Sequence, residues 1–258
     1  MAGALVTGAG ARLGRAMALY LAGRGYDVAV HYATSQQGAQ SVVDDIVAMG
    51  RNAVALQADL LIEDETQRLI ARATDAIGPL SVLVNNASIF EHDDITTSTR
   101  TSWDRHIESN LRAPFVLTQG FAAQAVDAVP DDQGEPVAQA LVVNMLDQRI
   151  RKLTPDFASY TIAKMGLWAL TQTAAQSLAP HIRVNGIGPG PTLQGMKQSE
   201  DQFARQRAAT ILERGANPDD ITAALGYFLD AKSVTGQVLC VDGGQHLAWN
   251  TVDVRGVE

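Results

Sequence analysis

Short runs of apolar residues alternate along this chain with longer segments in which apolar positions recur at helical period. An apolar run of four to eight residues bounded by turn signals suits a strand buried on both faces. Its alternation with helical segments predicts a parallel sheet covered by helices on both sides. Seven strands are predicted: "ALVTG" close to the start, "DVAVHY" from Asp27, "NAVALQADL" from Asn52, "SVLVNNA" from Ser81, "ALVVNM" from Ala140, "IRVNGIGPG" from Ile182 and "QVLCVDGG" from Gln237. Between them lie helix candidates such as "RLGRAMALYLAGRG", "QQGAQSVVDDIVAMG" and "DETQRLIARATDAIG", each closed by a glycine stop. The order is strand, helix, strand throughout the first half.

Two stretches break this rhythm. Residues Asp127 to Gln139, "DAVPDDQGEPVAQ", are acidic and rich in Pro and Gly, and read as a surface loop inserted before the fifth strand. The segment "GPGPTLQGMKQSEDQFARQRAA", which opens a substrate loop over about residues 190–215, follows the sixth strand. Ligands of open α/β sheets lie outside the carboxyl ends of the strands, so this segment is a candidate substrate lid.

A length of 258 residues suits one large α/β domain spanning residues 1–258, with a core that needs no staples. The chain is 46% hydrophobic and 19% charged, as in globular proteins, and no apolar run approaches the roughly 18 residues of a membrane span. Met1 leads almost directly into the strand-like "GALVTG", with no basic region or cleavage site, so the expected location is cytoplasmic. The single cysteine, Cys240, has no partner for an internal disulfide and no nearby metal-ligand set; a core position in a reducing compartment is expected, and no metal. A net charge of -8 argues against a nucleic-acid partner, which requires a basic face.

The stretch "VTGAGARLGRAM" places Gly8, Gly10 and Gly14 between the first strand and the first helix. Such a turn lets backbone approach a pyrophosphate, and a helix N-terminus offers free N–H groups and a partial positive charge. The spacing, G-x-G-x-x-x-G, is one residue longer than the common dinucleotide fingerprint, and a tight turn without ligand would look similar. Arg12 either supplies charge near the pyrophosphate or is a solvated residue of the first helical turn. An NAD site usually carries an acid at the end of the second strand. Here "HYATSQQGAQ" has none before Asp44, and Tyr32, Thr34 and Ser35 could donate hydrogen bonds to a 2′-phosphate, so NADPH is favoured.

Tyr160 and Lys164 stand four apart in a segment of helical period, on one face of a helix. A phenol ionises near pH 10, too high for easy exchange at neutrality; an ammonium one turn away is expected to lower that value, making Tyr160 a general acid or base.

Taken together, "TGAGARLG", "NNAS" at Asn85 to Ser88, Asn110 in "ESNLRAPF", the Tyr160/Lys164 pair, "RVNGIGPGPT" and "VTGQVLCVDGG" resemble the short-chain dehydrogenase/reductases in order and spacing over nearly the whole chain. The resemblance implies a Rossmann-type, doubly wound fold. It implies that Gly8, Arg12, Leu13, Tyr32, Thr34, Ser35, Asp59, Leu60, Asn86, Ala87, Ser88, Pro189, Gly190 and Thr192 line the cofactor with Tyr160 and Lys164, and that Asn110 helps hold a relay water near Lys164. It also implies a homotetramer assembled through the helices of Asn110 and Tyr160 and the C-terminal region.

That family usually has a serine thirteen residues before the tyrosine; this chain has Asp147. A carboxylate facing a carbonyl oxygen would repel the oxyanion formed on ketone reduction unless it carried a proton. Reduction of a C=N bond leaves no alkoxide, and an Asp beside a Tyr can relay the proton to nitrogen. Asp147, Arg12, "NNAS" followed by Phe90, and "HY" ending the second strand resemble the pteridine reductases and bacterial dihydromonapterin reductases. That resemblance implies a dihydropterin substrate stacked between Phe90 and the nicotinamide, contacted by Arg12, Ser88, Asp147 and Tyr160, under a lid from Leu193 to Phe203 and "HLAW" at the end. Where that subgroup has an arginine shortly after "HY", this chain has Thr34. Two alternatives stay open: a carbonyl reductase of 3-oxoacyl thioesters or sugar-like alcohols, favoured by "ATSQQGAQ", and a non-catalytic NADP-binding regulator.

Overall fold

The structure is a computed structural model that describes residues 2–195 and 198–249. Each expected strand forms: β1 (Gly3–Val6), β2 (Asp27–Tyr32), β3 (Ala53–Gln57), β4 (Leu80–Asn85), β7 (Ala140–Met145), β8 (Ile182–Pro189) and β9 (Val238–Val241). They make one parallel sheet in the order β3-β2-β1-β4-β7-β8-β9. The inserted stretch before β7 is not wholly irregular. It holds a two-stranded antiparallel hairpin of β5 (Val129–Pro130) and β6 (Pro136–Val137), turned at Gly134.

Helices α1 (Arg12–Gly23), α2 (Gln36–Ala48), α3 (Glu63–Ile77), α4 (Arg100–Ile107), α5 (Ala113–Gln124), α6 (Ala158–Ser177), α7 (Glu200–Ala208) and α8 (Pro218–Asp230) complete the fold. A π-helical turn, Glu108–Arg112, joins α4 to α5. The glycine stops work as expected: Gly25, Gly50 and Gly78 follow α1, α2 and α3 with φ of +92°, +78° and +84°, a conformation costly for a side chain. Among the described residues no helix is long and apolar enough to cross a membrane.

Strand residues alternate between two cores because successive side chains point to opposite faces. Ala4, Val6, Val28, Val30, Val82, Val84, Leu141 and Val143 pack with Met17, Val42 and Phe228 on one face. Leu5, Ala29, Leu83 and Val142 pack with Leu69, Leu117, Phe121 and Ala174 on the other. The order of the sheet turns at β1, whose neighbours are β2 and β4. The crevice beyond the carboxyl ends at that switch point is where an open α/β sheet takes its ligand.

Candidate active site

The glycine loop leaves β1 at this crevice. Gly8 has φ +62°, and a Cβ at Gly14 would sit 2.2 Å from the Gly8 carbonyl oxygen, so helix and turn close only without a side chain there. The α1 N-cap position is Ala11, and among the described residues the helix has no side-chain cap and no acid in its first turn. Its first N–H groups therefore remain available to an anion. Leu13 packs on the core, and Tyr32 does so at the end of β2. Thr34 and Ser35 are exposed beyond it.

Beneath the loop, fully buried His31 accepts the Gly8 N–H on Nδ1 at 3.0 Å and lies 3.0 Å from the Ala58 carbonyl through Nε2. Burial lowers its pKa to about 4, so the ring is neutral and Nε2 carries the proton. The "NNA" motif is tied to the same loop. Thr7 Oγ1 accepts the Asn86 and Ala87 N–H groups, each at 2.9 Å, and the Asn86 side chain donates to the Thr7 carbonyl at 2.8 Å. At the end of β3, Asp59 accepts the Leu61 N–H at 3.0 Å while Leu60 is buried.

The opposite wall is built from β7, α6 and β8. Asp147 follows β7 and accepts the Arg149 N–H on Oδ1 at 2.8 Å and the Tyr160 hydroxyl on Oδ2 at 2.9 Å. Burial pushes the Asp147 carboxyl above the ordinary carboxylate range, against the opposing pull of the Arg149 N–H, the Tyr160 hydroxyl and the charges of Arg149 and Lys164. Lys164 is buried and donates to the Met145 carbonyl at 2.7 Å; burial brings its pKa down to about 8, with Asp147 opposing. The β8 terminus closes this wall. Gly190 donates to the Val241 carbonyl at 3.0 Å, and Thr192 Oγ1 to the Gly190 carbonyl at 3.1 Å, with Pro189 just before them.

Several expectations change. Tyr160 is not made more acidic: burial first, then the Asp147 charge and its hydrogen bond, push the phenol well above its usual value, with Arg149 and the Ser88 hydroxyl opposing. Asn110, in the π-helical turn, spends both side-chain atoms on Ile89, accepting its N–H at 2.9 Å and donating to its carbonyl at 2.8 Å. Its side chain thus anchors the segment that carries Phe90, a bond that leaves the expected water-mediated role beside Lys164 to its backbone. Arg12 is exposed at the start of α1, and its side chain turns to the segment after β8. Its guanidinium donates to the Gln194 and Leu193 carbonyls at 2.9 and 3.2 Å, joining the start of α1 to the segment after β8. The expected lid includes residues 196 and 197, which lie outside the described residues.

Phe90 stands edge-on to Tyr160 at 4.7 Å, but one of its faces is already covered. Phe157 stacks on it at 4.2 Å with the rings 9° apart, and the Arg149 guanidinium lies 4.8 Å from the centre of the Phe157 ring. Sequence reasoning does not single out Phe157. Its one signal is position, an aromatic three residues before Tyr160, and its left-handed φ of +60° marks strain there. Among the described residues no group of three or more His, Cys, Asp and Glu is arranged to hold a metal ion.

The site therefore pairs a phenol with a buried carboxyl group, opposite a glycine turn with free N–H groups. Residues 8–246 match the family described as enoyl-(acyl carrier protein) reductase. The chain is 34% identical over 249 residues to 3-oxoacyl-(acyl-carrier-protein) reductase FabG of Staphylococcus aureus, covering 95% of this chain and 98% of that one. It is 32% identical over 256 residues to a short-chain dehydrogenase/reductase of Armillaria gallica, covering 93% and 94%. Among solved structures it resembles FolM alternative dihydrofolate reductase 1 from Brucella canis complexed with NADP, at 40% identity and TM-score 0.90, covering 98% of this chain and 97% of that one. The chain belongs to the short-chain dehydrogenase/reductase family.

Proposed function

We propose that this short-chain reductase uses NADPH to reduce the C=N bond of a pterin, taking a dihydropterin to its tetrahydro form. The observation that carries the reading is the hydrogen bond, at 2.9 Å, from Tyr160 to Asp147, whose carboxyl burial pushes above the ordinary range. A serine in that place would suit a carbonyl; a carboxylic acid suits a nitrogen that must gain a proton. Similarity to the Brucella FolM structure, described as an alternative dihydrofolate reductase in complex with NADP, supports both substrate class and cofactor.

The residues present fit a dinucleotide phosphate. The uncapped start of α1 and the Gly8 turn suit its pyrophosphate, and the acid-free end of β2, with Tyr32, Thr34 and Ser35, suits a 2′-phosphate. Asp59, Leu60, Asn86, Ala87, Ser88, Pro189, Gly190 and Thr192 complete the expected lining. When bound, NADPH supplies the hydride for the ring carbon. Tyr160 then gives its proton to the ring nitrogen, and Asp147, protonated, returns one to the phenolate oxygen. Lys164 holds positive charge behind this pair. Phe90, half-exposed and stacked on Phe157, is the aromatic that would cover the flat ring, and Arg12 would hold the lid segment through Leu193 and Gln194. A homotetramer is the expected assembly; exposed Trp103, Phe115, Ile162 and Met165 on α4, α5 and α6 give it apolar contact surface.

A second reading has its own support. The likeness to FabG of Staphylococcus aureus favours a 3-oxoacyl thioester reductase. The purified protein should oxidise NADPH when given dihydrobiopterin or dihydromonapterin. Turnover of acetoacetyl thioester alone would overturn the pterin reading in favour of this second one.

A further inference from the structure

Helix α6 carries Tyr160 and Lys164, yet its own sequence does not cap it. The residue before it, Phe157, is left-handed, and among the described residues the helix has neither a local side-chain cap nor an acid in its first turn. The missing acceptors come from Asp93, more than sixty residues upstream. The Asp93 carbonyl accepts the Phe157 and Ala158 N–H groups at 2.6 and 3.3 Å, and its Oδ1 accepts the Ser159 N–H at 3.2 Å. One buried residue thus satisfies the three amides leading to Tyr160 and puts negative charge at a helix N-terminus.

Its other oxygen ends a directed chain. His106 Nε2 accepts the Glu91 N–H at 3.1 Å, which leaves the ring proton on Nδ1. Nδ1 donates to Ser159 Oγ at 2.6 Å, and Ser159 Oγ donates to Asp93 Oδ2, which Ser102 also reaches at 3.2 Å. Asp93, Ser159 and His106 are all nearly or fully buried. Hydrogen bonds from Ser159, Ser98 and Ser102 overcome burial and hold the Asp93 carboxyl below the usual range, while burial keeps His106 neutral. A Ser, His and Asp in contact invite comparison with hydrolases. Here the serine sits in the middle and is sealed from solvent, so it has no base to activate it and no substrate to attack.

The chain borders the reacting groups. The His106 ring packs edge-on to Tyr160 at 6.0 Å, and the Asp93 segment begins at Phe90, itself against Tyr160. We propose that Asp93, Ser159 and His106 are positioning residues that hold Tyr160 in register with Asp147 and with Phe90. Tyr160 is the third residue of α6, inside the turn that frays first when a helix start loses its acceptors. The proposal rests on Tyr160 as the proton donor of the preceding reading.

The test uses full-length Asp93→Asn and Ser159→Ala. An asparagine amide offers one acceptor oxygen where two are needed and points N–H groups at the serine; the alanine removes only the hydroxyl. Turnover is measured with dihydrobiopterin and with acetoacetyl thioester, using NADPH and its 4-deuterated form. Both variants should lower kcat by roughly 10- to 100-fold on whichever substrate the wild type reduces, as expected for a misplacement near 1 Å. The KM for NADPH should stay within about twofold and the isotope effect should rise, because proton and hydride transfer become the slow step. A core variant on the other sheet face, Phe228→Leu, should lower Tm without moving the isotope effect. Folded variants with wild-type kcat and isotope effect would overturn the proposal. Wild-type turnover of the thioester alone removes the pterin reading and leaves this comparison intact. If the wild type reduces neither, amide exchange decides: faster exchange at residues 158–161 in Ser159→Ala supports the proposal, and unchanged exchange overturns it.

Discussion

Replacing Asp147 by Asn keeps the shape of the site and removes its second proton. The introduced amide would still accept the Arg149 N–H, but it has no carboxylic proton to return to Tyr160. In the protonated wild-type pair, Tyr160 gives up one proton and a single negative charge remains between the two oxygens. Once Asp147 is ionised, the same transfer leaves two charges 2.9 Å apart. At an effective dielectric constant near 20 that repulsion is about 6 kcal/mol, close to four powers of ten in rate. Wild-type pterin reduction should therefore be fastest with Asp147 protonated and fall as pH rises through its raised pKa. A second limb belongs to Lys164, which loses its proton at about 8. In Asp147→Asn the first limb should disappear, and the plateau should drop by roughly 100- to 10,000-fold, the usual worth of a general acid. The Lys164 limb should move down, because Asp147 raises that pKa. Stability should move the other way. A carboxyl with a raised folded pKa contributes stability that is present below its ordinary 3.8 and lost as pH rises through the folded value, so the variant should have the higher Tm at pH 7 and no advantage at low pH. The assay is NADPH oxidation with dihydrobiopterin across pH 5 to 9, beside thermal melts. A variant with undiminished turnover and the wild-type falling limb would refute the reasoning.

Other sites make separate demands. Asp147→Ser should raise acetoacetyl thioester turnover by about tenfold or more at pH values where the Asp147 carboxyl is ionised, since a hydroxyl donates to a developing oxyanion where a carboxylate repels it; no gain in steady-state assays there would contradict the role given to the carboxyl. His31 is held neutral with a pKa lowered from 6.5 to about 4, so native stability should fall as pH drops through that window, by up to about 3 kcal/mol in urea unfolding. His31→Asn should flatten that fall. Phe157→Ala removes the ring stacked on Phe90 and should raise the pterin KM about fivefold, the equivalent of about 1 kcal/mol for an aromatic pair, with little change in the KM for NADPH. Arg12→Met frees the Leu193 and Gln194 carbonyls and should make the lid segment more sensitive to limited proteolysis, with a larger effect on KM than on kcat.

The amino-acid sequence by itself determined the parts of this protein that depend on neighbours along the chain. Apolar runs and helical periods placed all seven strands of the main sheet, and glycines placed the helix ends, because each answers to its own element's periodicity and backbone freedom. The spacing of Tyr160 and Lys164 put them on one helix face, and Asp147 stood out as a departure from a serine. The small β5 and β6 hairpin escapes such reading, since Pro and Gly signal a turn without revealing two residues of pairing on either side. Only the tertiary structure decided what each site residue touches. It sent Asn110 to Ile89 and Arg12 to the lid, stacked Phe157 on Phe90, and brought Asp93 to cap α6. It also reversed the expected effect on Tyr160, because burial beside Asp147 outweighs the Arg149 charge and the Ser88 hydroxyl. Contacts between residues from about a dozen to well over a hundred positions apart, and the desolvation they create, arise only where strand ends converge, and no periodicity along the chain records that convergence.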